Sequence, residues 1–237
     1  MMSPLVLYHA NCPDGFTAAW CAWLRFQDQA DYCPVNYSDP VPLEKAEGRQ
    51  VYVLDFSWPR SDMAMLIAVS NGCTVLDHHK TAKEALDGLS GVIFDLERSG
   101  ATLAWDELPG VEPWFVQQNV LTRKFVEYVE DRDLWRWKLP KSREVSANLW
   151  SYPRTFETWT KLALALDHQF DEFVKEGEAI LRAKDQVVKE QADRAVMREI
   201  GGYTVPVVNT TVYFSEVGEG AGGERDLLHS VYLWTVL

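Results

Sequence analysis

The chain has 237 residues, of which 47% are hydrophobic and 12% aromatic, and its formal net charge is −12. This composition predicts one large or two modest folded domains and excludes a disordered chain. The acidic balance argues against duplex DNA as a partner, because a non-specific DNA-binding protein needs a basic surface.

The cysteine pattern and the lack of long apolar segments predict where in the cell the protein is located. The four cysteines include no Cys-x-x-Cys pair, and the first residues lack the basic and apolar regions of a signal peptide. No apolar run approaches the roughly 20 residues that a membrane-spanning helix needs. We therefore expect a soluble cytoplasmic protein with reduced thiols and no membrane partner.

The first predicted strand, Leu5-Val6-Leu7-Tyr8, leads into a loop that carries His9 and Asp14. A helix rich in small residues is predicted from Phe16 to Phe26. Taken alone, His9 could be a core histidine, and Asp14 with its following glycine could form an ordinary turn.

Polar residues also follow later strands. Strand 51–54 ends at Asp55, strand 73–76 ends at Asp77-His78-His79, and strand 91–94 ends at Asp95. An edge strand is predicted over 35–37, between two prolines. Helices are predicted over 60–71, 81–86 and 99–106, and their alternation with strands indicates a parallel sheet.

In a parallel sheet, the residues that follow the strands meet at one edge, where open α/β folds form their sites. His9, Asp14, Asp55 and Asp77-His78-His79 should therefore converge. Imidazole and carboxylate groups are common ligands of divalent transition metals. The alternative is that Asp77 caps a helix and the histidines are solvated, but several converging strand ends favour a metal site.

The second half of the chain is predicted to be mainly helical. A helix over 114–129 leads to Glu130-Asp131-Arg132-Asp133, an acidic turn that by itself is typical of a solvated helix end. Helices are predicted over 155–166 and 170–200, and strands over 203–209 and 211–214. The predicted fold class is α/β: a parallel sheet flanked by helices over 1–165, a long connecting helix within 166–200, and a small α/β unit over 201–237.

In this order the motifs resemble those of the DHH phosphoesterase family, well over about the first 165 residues and in part beyond them. The resemblance lies in the following segments: His9-Ala10-Asn11-Cys12-Pro13-Asp14-Gly15, Asp55, Asp77-His78-His79, Ser99-Gly100-Ala101 and Asp131-Arg132-Asp133. It implies a DHH catalytic domain over 1–165 and a partial DHH-associated domain over 201–237.

The resemblance also implies two divalent cations, usually Mn²⁺, and a role for each matching residue. The implied metal ligands are His9, Asp14, Asp55, His78 and Asp131, with Asp55 shared by both cations. Asp77 would orient His78, and His79 would face the substrate phosphate. Two such cations can hold a hydroxide and clamp the attacking and leaving oxygens of a phosphoester.

The implied activity is hydrolysis of phosphoester bonds in small nucleotides or short single-stranded oligonucleotides. Two other interpretations stay open. The protein could be a small-molecule phosphatase or pyrophosphatase, or it could bind metal without turnover.

Two features depart from the family pattern. Cys12 stands where many members have an aspartate, so a thiolate could bind metal there, or the site could depend on His9 and Asn11. A different register would match Asp14 to that aspartate and Phe16 to the next one. At the other end, the glycine-rich segment with a histidine that grips the substrate is absent, and Gly222-Gly223-Glu224-Arg225 does not replace it. A truncation, or a frameshift after about Gly218, would explain an incomplete C-terminal unit whose exposed apolar surface favours a homo-oligomer.

Overall fold

The computed structural model describes residues 2–108 and 121–222. The chain divides into two compact units between Gly177 and Glu178. The first unit is built on a five-stranded parallel sheet flanked by helices, and the second contains a two-stranded antiparallel sheet. The predicted α/β fold class is therefore confirmed.

The strand order of the large sheet defines where a site can form. Its strands are β1 (Leu5–His9), β2 (Asp31–Val35), β3 (Gln50–Leu54), β4 (Gly72–Asp77) and β5 (Val92–Phe94). They lie in the order β2-β1-β3-β4-β5, and all neighbours are parallel. The order reverses at β1, with β2 on one side and β3 on the other. In open α/β sheets, ligands bind at such a reversal, outside the carboxyl ends of the strands.

Helices surround this sheet and lead on to the second unit. They are α1 (Pro13–Phe26), α2 (Leu43–Ala46), α3 (Arg60–Val69), α4 (Lys80–Leu86), α5 (Gly100–Glu107), α6 (Lys124–Asp133), α7 (Ser142–Trp150), α8 (Phe156–His168) and α9 (Phe170–Ala192). The division between the two units falls inside α9. A short 3₁₀ turn, Gln27–Gln29, separates α1 from β2.

The side chains of the central strands alternate between two apolar clusters, as the two-residue period of a strand requires. Val6 and Leu54 belong to one cluster, together with Trp20 of α1 and Trp159 of α8. Their strand neighbours Leu5, Leu7, Val51 and Val53 belong to the other, with Met63 and Leu66 of α3. Both faces of the sheet are thus covered, and its carboxyl edge is left for polar side chains.

The edge strand lies earlier than predicted. β2 covers Asp31–Val35 and includes Pro34, whereas the sequence predicted a strand over 35–37. Proline lacks an N–H but is tolerated on an edge strand, because one side of that strand has no hydrogen-bonding partner. Asn36 instead begins a turn, in which its N–H donates to Asp39 Oδ2 at 2.7 Å.

Two predictions for the second unit are wrong. The predicted helix to Ile200 ends at Ala192, because β6 (Val196–Ile200) pairs with β7 (Tyr203–Val207) in a hairpin. Gly201 and Gly202 both have positive φ, which is the geometry that a tight hairpin turn demands. The predicted strand over 211–214 is absent, since Tyr213 has φ 51° and helix α10 (Phe214–Gly222) begins directly after it.

Several predictions concern residues outside the described ranges. They are the loop at 109–113, the first part of the predicted helix 114–129, and the tail from Gly223 to Leu237. The end of that helix is described, within α6. The assignment of 1–165 as a catalytic domain, 166–200 as a connector and 201–237 as a partial domain stays a prediction. In the parts of the chain that are described, every helix is too short or too polar to cross a bilayer.

Candidate metal centre

Asp55 lies at the centre of a polar cluster at the carboxyl edge of the sheet. It follows β3, and its backbone adopts a left-handed φ of 54°, which is uncommon for a residue with a side chain. His9 at the end of β1 has its Nδ1 3.5 Å from Asp55 Oδ2, and His78 after β4 has its Nε2 3.2 Å from Asp55 Oδ1. The strand ends that the sequence predicted to converge therefore do meet here.

Both carboxylate oxygens of Asp55 are buried without a hydrogen-bond donor of adequate geometry. The two histidines approach them at ion-pair distance only, and His9 Nδ1 is itself buried without a hydrogen bond. Burial acts to raise the pKa of Asp55, but the contacts with His78 and His9 outweigh it and lower the pKa to about 2. Burying carboxylate oxygens without a hydrogen bond costs free energy. A cation bound to these oxygens would offset that cost.

Asp14 joins the cluster from the first turn of α1. It is 1% exposed, and its carboxylate accepts hydrogen bonds from the N–H groups of Gly100 (2.6 Å) and Ala101 (3.0 Å) at the start of α5. Its Oδ2 is also 3.8 Å from His78 Nε2. Burial raises the pKa of Asp14 well above its usual value, and the nearby carboxylates of Asp133 and Asp55 add to this effect.

Two glycines allow the first turns of α1 and α5 to lie against the carboxylates of the cluster. A Cβ on Gly15 would lie 2.5 Å from the carbonyl oxygen of His9 and 3.1 Å from Asp55 Oδ2. A Cβ on Gly100 would lie 2.5 Å from the Cβ of Asp55 and 2.9 Å from Asp14 Oδ2. Any larger residue at these two positions would displace the carboxylates of the cluster.

Asp133, at the end of α6, supplies a third carboxylate. Its Oδ2 is 3.5 Å from His78 Nε2. Burial, and to a smaller extent repulsion from the Asp55 carboxylate, raises the pKa of Asp133 to about 6. For His78, burial acts to lower the pKa, but the Asp55 contact and the charge of Asp133 outweigh it and raise the pKa. Three acids thus surround one imidazole, and such a group of carboxylate and imidazole side chains can bind a divalent cation.

The structure does not bring the predicted ligand Asp131 to this cluster. Its carboxylate accepts hydrogen bonds from the N–H groups of Lys138 (2.9 Å) and Leu139 (3.2 Å), in the loop that follows α6. Asp131 therefore holds that loop, and Asp133 of the same motif contributes the carboxylate to the cluster. Two positions apart on a helix, the two side chains point in nearly opposite directions.

Asp77 is fully buried at the end of β4, and it orients His79 rather than the ring of His78. Asp77 Oδ1 lies 2.6 Å from His79 Nδ1 and accepts the N–H of His78 at 2.7 Å, while Oδ2 accepts the hydroxyl of Ser57 at 2.8 Å. The hydrogen bond to Asp77 is the main cause that raises the pKa of His79 to about 9. The side chain of His79 is 37% exposed, so this ring stands between the cluster and solvent.

Ligand atoms of the cluster form three overlapping groups, each with its atoms within 4.8 Å of one another. The groups are His9–Cys12–Asp55, Asp55–His78–His79 and Asp14–His78–Asp133. Asp55 and His78 each belong to two of them. Imidazole, carboxylate and thiolate donors at such distances fit divalent transition metals.

A small, partly open cleft lies beside the cluster. Asp14 and Asp133 form its wall towards the cluster, and Tyr128, Arg132 and Trp150 form other parts of it. The guanidinium of Arg132 lies 5.0 Å from the ring centroid of Trp150, whose side chain is 44% exposed. Arg132 lies within the predicted motif Asp131-Arg132-Asp133 but had no predicted role, and Trp150 was not predicted. No sequence signal places the two together, because their contact arises from the packing of α7 on α6.

Comparisons with known proteins bear on the fold. No protein-family model matches the chain. In an alignment over 171 residues, which covers 65% of this chain, the sequence is 30% identical to the Uncharacterized protein R106 of Acanthamoeba polyphaga mimivirus; the alignment spans 39% of that relative's length. The crystal structure of an uncharacterized protein from Helicobacter pylori G27 matches with a TM-score of 0.56 at 14% identity, over 93% of this chain and 79% of the other. That crystal structure has the same fold, and neither relative's name states an activity.

Proposed function

We propose that this chain is a metal-dependent phosphoesterase that hydrolyses phosphoester bonds of small nucleotides or short single-stranded oligonucleotides. One observation carries the proposal: both oxygens of Asp55 are buried without a hydrogen bond, one towards His9 and the other towards His78. This carboxylate lies at the reversal of strand order, where α/β folds bind their ligands. The order of the motifs, which resembles that of DHH phosphoesterases, supports the same activity.

The donors fit two divalent cations, and Mn²⁺ is the choice that the resemblance favours. His9 and Asp55 would hold one cation, and Asp14, His78 and Asp133 the other, with Asp55 between them. Bound cations of this kind supply Lewis acidity for phosphoryl oxygens and make hydroxide available near neutral pH. Metal binding would also relieve the mutual repulsion of the three acids.

Two residues at the edge of the cluster would act on the substrate. Asp77 holds His79 through Nδ1, so the Nε2 of that ring is directed away from Asp77. From this position His79 would donate a hydrogen bond to a phosphate oxygen or a proton to the leaving oxygen. Asp77 would act as a positioning residue for His79.

The cleft supports an organic phosphoester as the substrate in preference to pyrophosphate. Its wall combines the cation of Arg132 with the exposed ring of Trp150, beside the carboxylates of Asp14 and Asp133. A guanidinium suits a phosphate, and an indole suits a planar base, on which stacking contributes about 1–3 kcal/mol. Inorganic pyrophosphate offers no group that would use the indole.

Asp55→Asn is the direct test. The variant should lose hydrolysis of a chromogenic phosphodiester in Mn²⁺ by more than the roughly 10–100-fold seen when an outer-shell partner of a metal site is changed. The matched control is Asp87→Asn, an exposed residue after α4. Unchanged turnover of Asp55→Asn would sink the proposal.

The interpretation as a metal-binding protein without turnover predicts a different pattern. Calorimetry would then show Mn²⁺ binding that Asp55→Asn weakens, while no dinucleotide, cyclic dinucleotide, bisphosphorylated nucleotide or pyrophosphate is hydrolysed. Hydrolysis of pyrophosphate alone would favour the phosphatase interpretation instead.

We also propose a cytoplasmic location. All four cysteines are free, as expected for a protein of a reducing compartment. The net charge of −12 disfavours long nucleic acids, so we propose short single-stranded or mononucleotide substrates rather than duplex DNA.

A further inference from the structure

Cys12 stands at the junction of β1 and α1, with its side chain at the cluster. Asn11 before it adopts a left-handed φ of 58°, and Pro13 after it occupies the first turn of α1. This backbone brings the Cys12 Sγ into a group with His9 and Asp55 whose ligand atoms lie within 4.8 Å of one another. The local turn at Asn11 and Cys12 therefore positions the sulfur.

Cys12 is the N-cap residue of α1, and its thiol forms no disulfide. The backbone N–H of Gly15 interacts with the sulfur and acts to lower the thiol pKa, and the other three cysteines are free. Burial raises the pKa of the Cys12 thiol well above its usual value, and Asp55, Asp14 and Asp133 raise it further. A nearby cation would reverse this effect, because a coordinated thiol loses its proton.

The cluster has a His9 side, formed by His9, Cys12 and Asp55, and a His78 side, formed by Asp14, His78 and Asp133. The carboxylates are divided unequally between them. Both oxygens of Asp14 accept hydrogen bonds from α5, and the histidine that they face is His78. Asp133 also faces His78. The group around His9 thus has Asp55 as its carboxylate, and Cys12 is its third donor.

The two sides consequently differ in chemical softness. The His9 side offers nitrogen, sulfur and a carboxylate, whereas the Asp14–His78–Asp133 side offers nitrogen and two carboxylates. Thiolates favour Zn²⁺ and similar metals, and carboxylates favour Mn²⁺ or Mg²⁺. A catalytic Zn²⁺ site typically has three protein ligands, which matches the count on the His9 side.

We propose that Cys12 binds a cation as a thiolate, so that the His9–Cys12–Asp55 group selects a thiophilic metal such as Zn²⁺ beside an oxygen-rich site for a harder cation. The thiol proton passes to solvent when the metal binds, and the sulfur lone pair forms the new bond. The inference rests on the metal centre proposed above, and it replaces a pair of identical cations by a mixed pair.

Cobalt spectroscopy of the full chain tests this assignment. Chelator-treated protein is titrated with Co²⁺, and a thiolate ligand produces a sulfur-to-cobalt charge-transfer band in the near ultraviolet. The band should appear in the wild type, vanish in Cys12→Ser, and persist in the control Cys33→Ser, which removes a thiol of β2 outside the cluster. Far-ultraviolet circular dichroism checks that each variant is folded.

Metal selectivity gives a second readout. Cys12→Ser should weaken Zn²⁺ binding by at least about 10–100-fold and Mn²⁺ binding much less. Cys12→Asp replaces sulfur by oxygen, and it should move the preference from Zn²⁺ towards Mn²⁺.

The outcomes separate this inference from the function on which it rests. Co²⁺ binding without the charge-transfer band, or a band that Cys12→Ser retains, overturns the role of Cys12 and leaves the hydrolase proposal standing. If the protein binds no Co²⁺, Zn²⁺ or Mn²⁺, both proposals fail.

Discussion

The carboxylate of Asp14 accepts a hydrogen bond of 2.6 Å from the N–H of Gly100, 86 residues further along the chain. This contact fixes the start of α5 against the start of α1, and it sets one acid of the cluster in place. Position 100 must therefore be glycine, because a Cβ there would lie 2.5 Å from the Cβ of Asp55 and 2.9 Å from Asp14 Oδ2.

Gly100→Ala should therefore damage the metal centre. We expect it to lower the free energy of unfolding by about 1–3 kcal/mol, the usual cost of overpacking, and to weaken Mn²⁺ binding by about 10–100-fold. Urea unfolding and calorimetry measure the two effects. Gly72→Ala is the matched control, since its new Cβ would meet only the movable end of the Gln50 side chain. Equal behaviour of the two variants would contradict the prediction.

Asp131 and Asp133 should respond in opposite ways to substitution. Asp131→Asn loses one of two acceptors for the loop N–H groups, so it should lower the free energy of unfolding by about 1–3 kcal/mol and leave Mn²⁺ binding intact. Asp133→Asn should weaken Mn²⁺ binding while leaving the metal-free protein at least as stable, because it removes a charge that Asp55 repels. If Asp131→Asn weakened Mn²⁺ binding and Asp133→Asn did not, Asp131 would be the metal ligand and the prediction would be wrong.

The strand-end residues of the site could be predicted because their signals are local. Short apolar runs end at His9, Asp55 and Asp77-His78-His79, and the parallel sheet brings such ends together. The choice between Asp131 and Asp133 needed the rotational phase of α6 and the path of the loop at 134–139, which composition does not encode. The hairpin of the second unit could not be predicted because the charged, helix-like pattern of 170–200 continues up to the turn at Gly201-Gly202.

The cleft illustrates a second limit of sequence reasoning. Trp150 ends α7 and Arg132 lies on α6, and their contact depends on how the two helices pack. Trp150 belongs to no motif, and the motif Asp131-Arg132-Asp133 gives no information on what the Arg132 side chain contacts. Tertiary contacts of this kind become visible only once the fold is known.

Asp77→Asn should release His79 from its position. In the folded protein the contact stabilises the protonated ring, so its contribution to stability is present below the ordinary pKa near 6.5 and is lost as the pH rises through about 9. We expect NMR titration of the metal-free variant to give a His79 pKa well below that of the wild type. Hydrolysis should fall as well, because the ring is no longer oriented.

Ser57→Ala is the comparison for this change. Ser57 donates a hydrogen bond to the other oxygen of Asp77, so its removal leaves the contact between Asp77 and His79 in place. Its effect on the His79 pKa should be the smaller of the two. A His79 pKa that stays near 9 in Asp77→Asn would show that another group holds the proton.

Trp150→Ala tests the cleft as the place where the organic part of the substrate binds. Because the indole is 44% exposed, its removal should destabilise the fold less than the removal of a fully buried tryptophan such as Trp159. The KM for a dinucleotide should rise about tenfold or more, as expected for the loss of one stacking partner, whereas kcat should stay close to that of the wild type. Trp150→Phe keeps an aromatic face and should restore most of the affinity. A glycerol-based phosphodiester, which has no ring to stack, should show no such rise in KM; an equal rise for both substrates would mean that Trp150 supports the metal centre and does not bind the base.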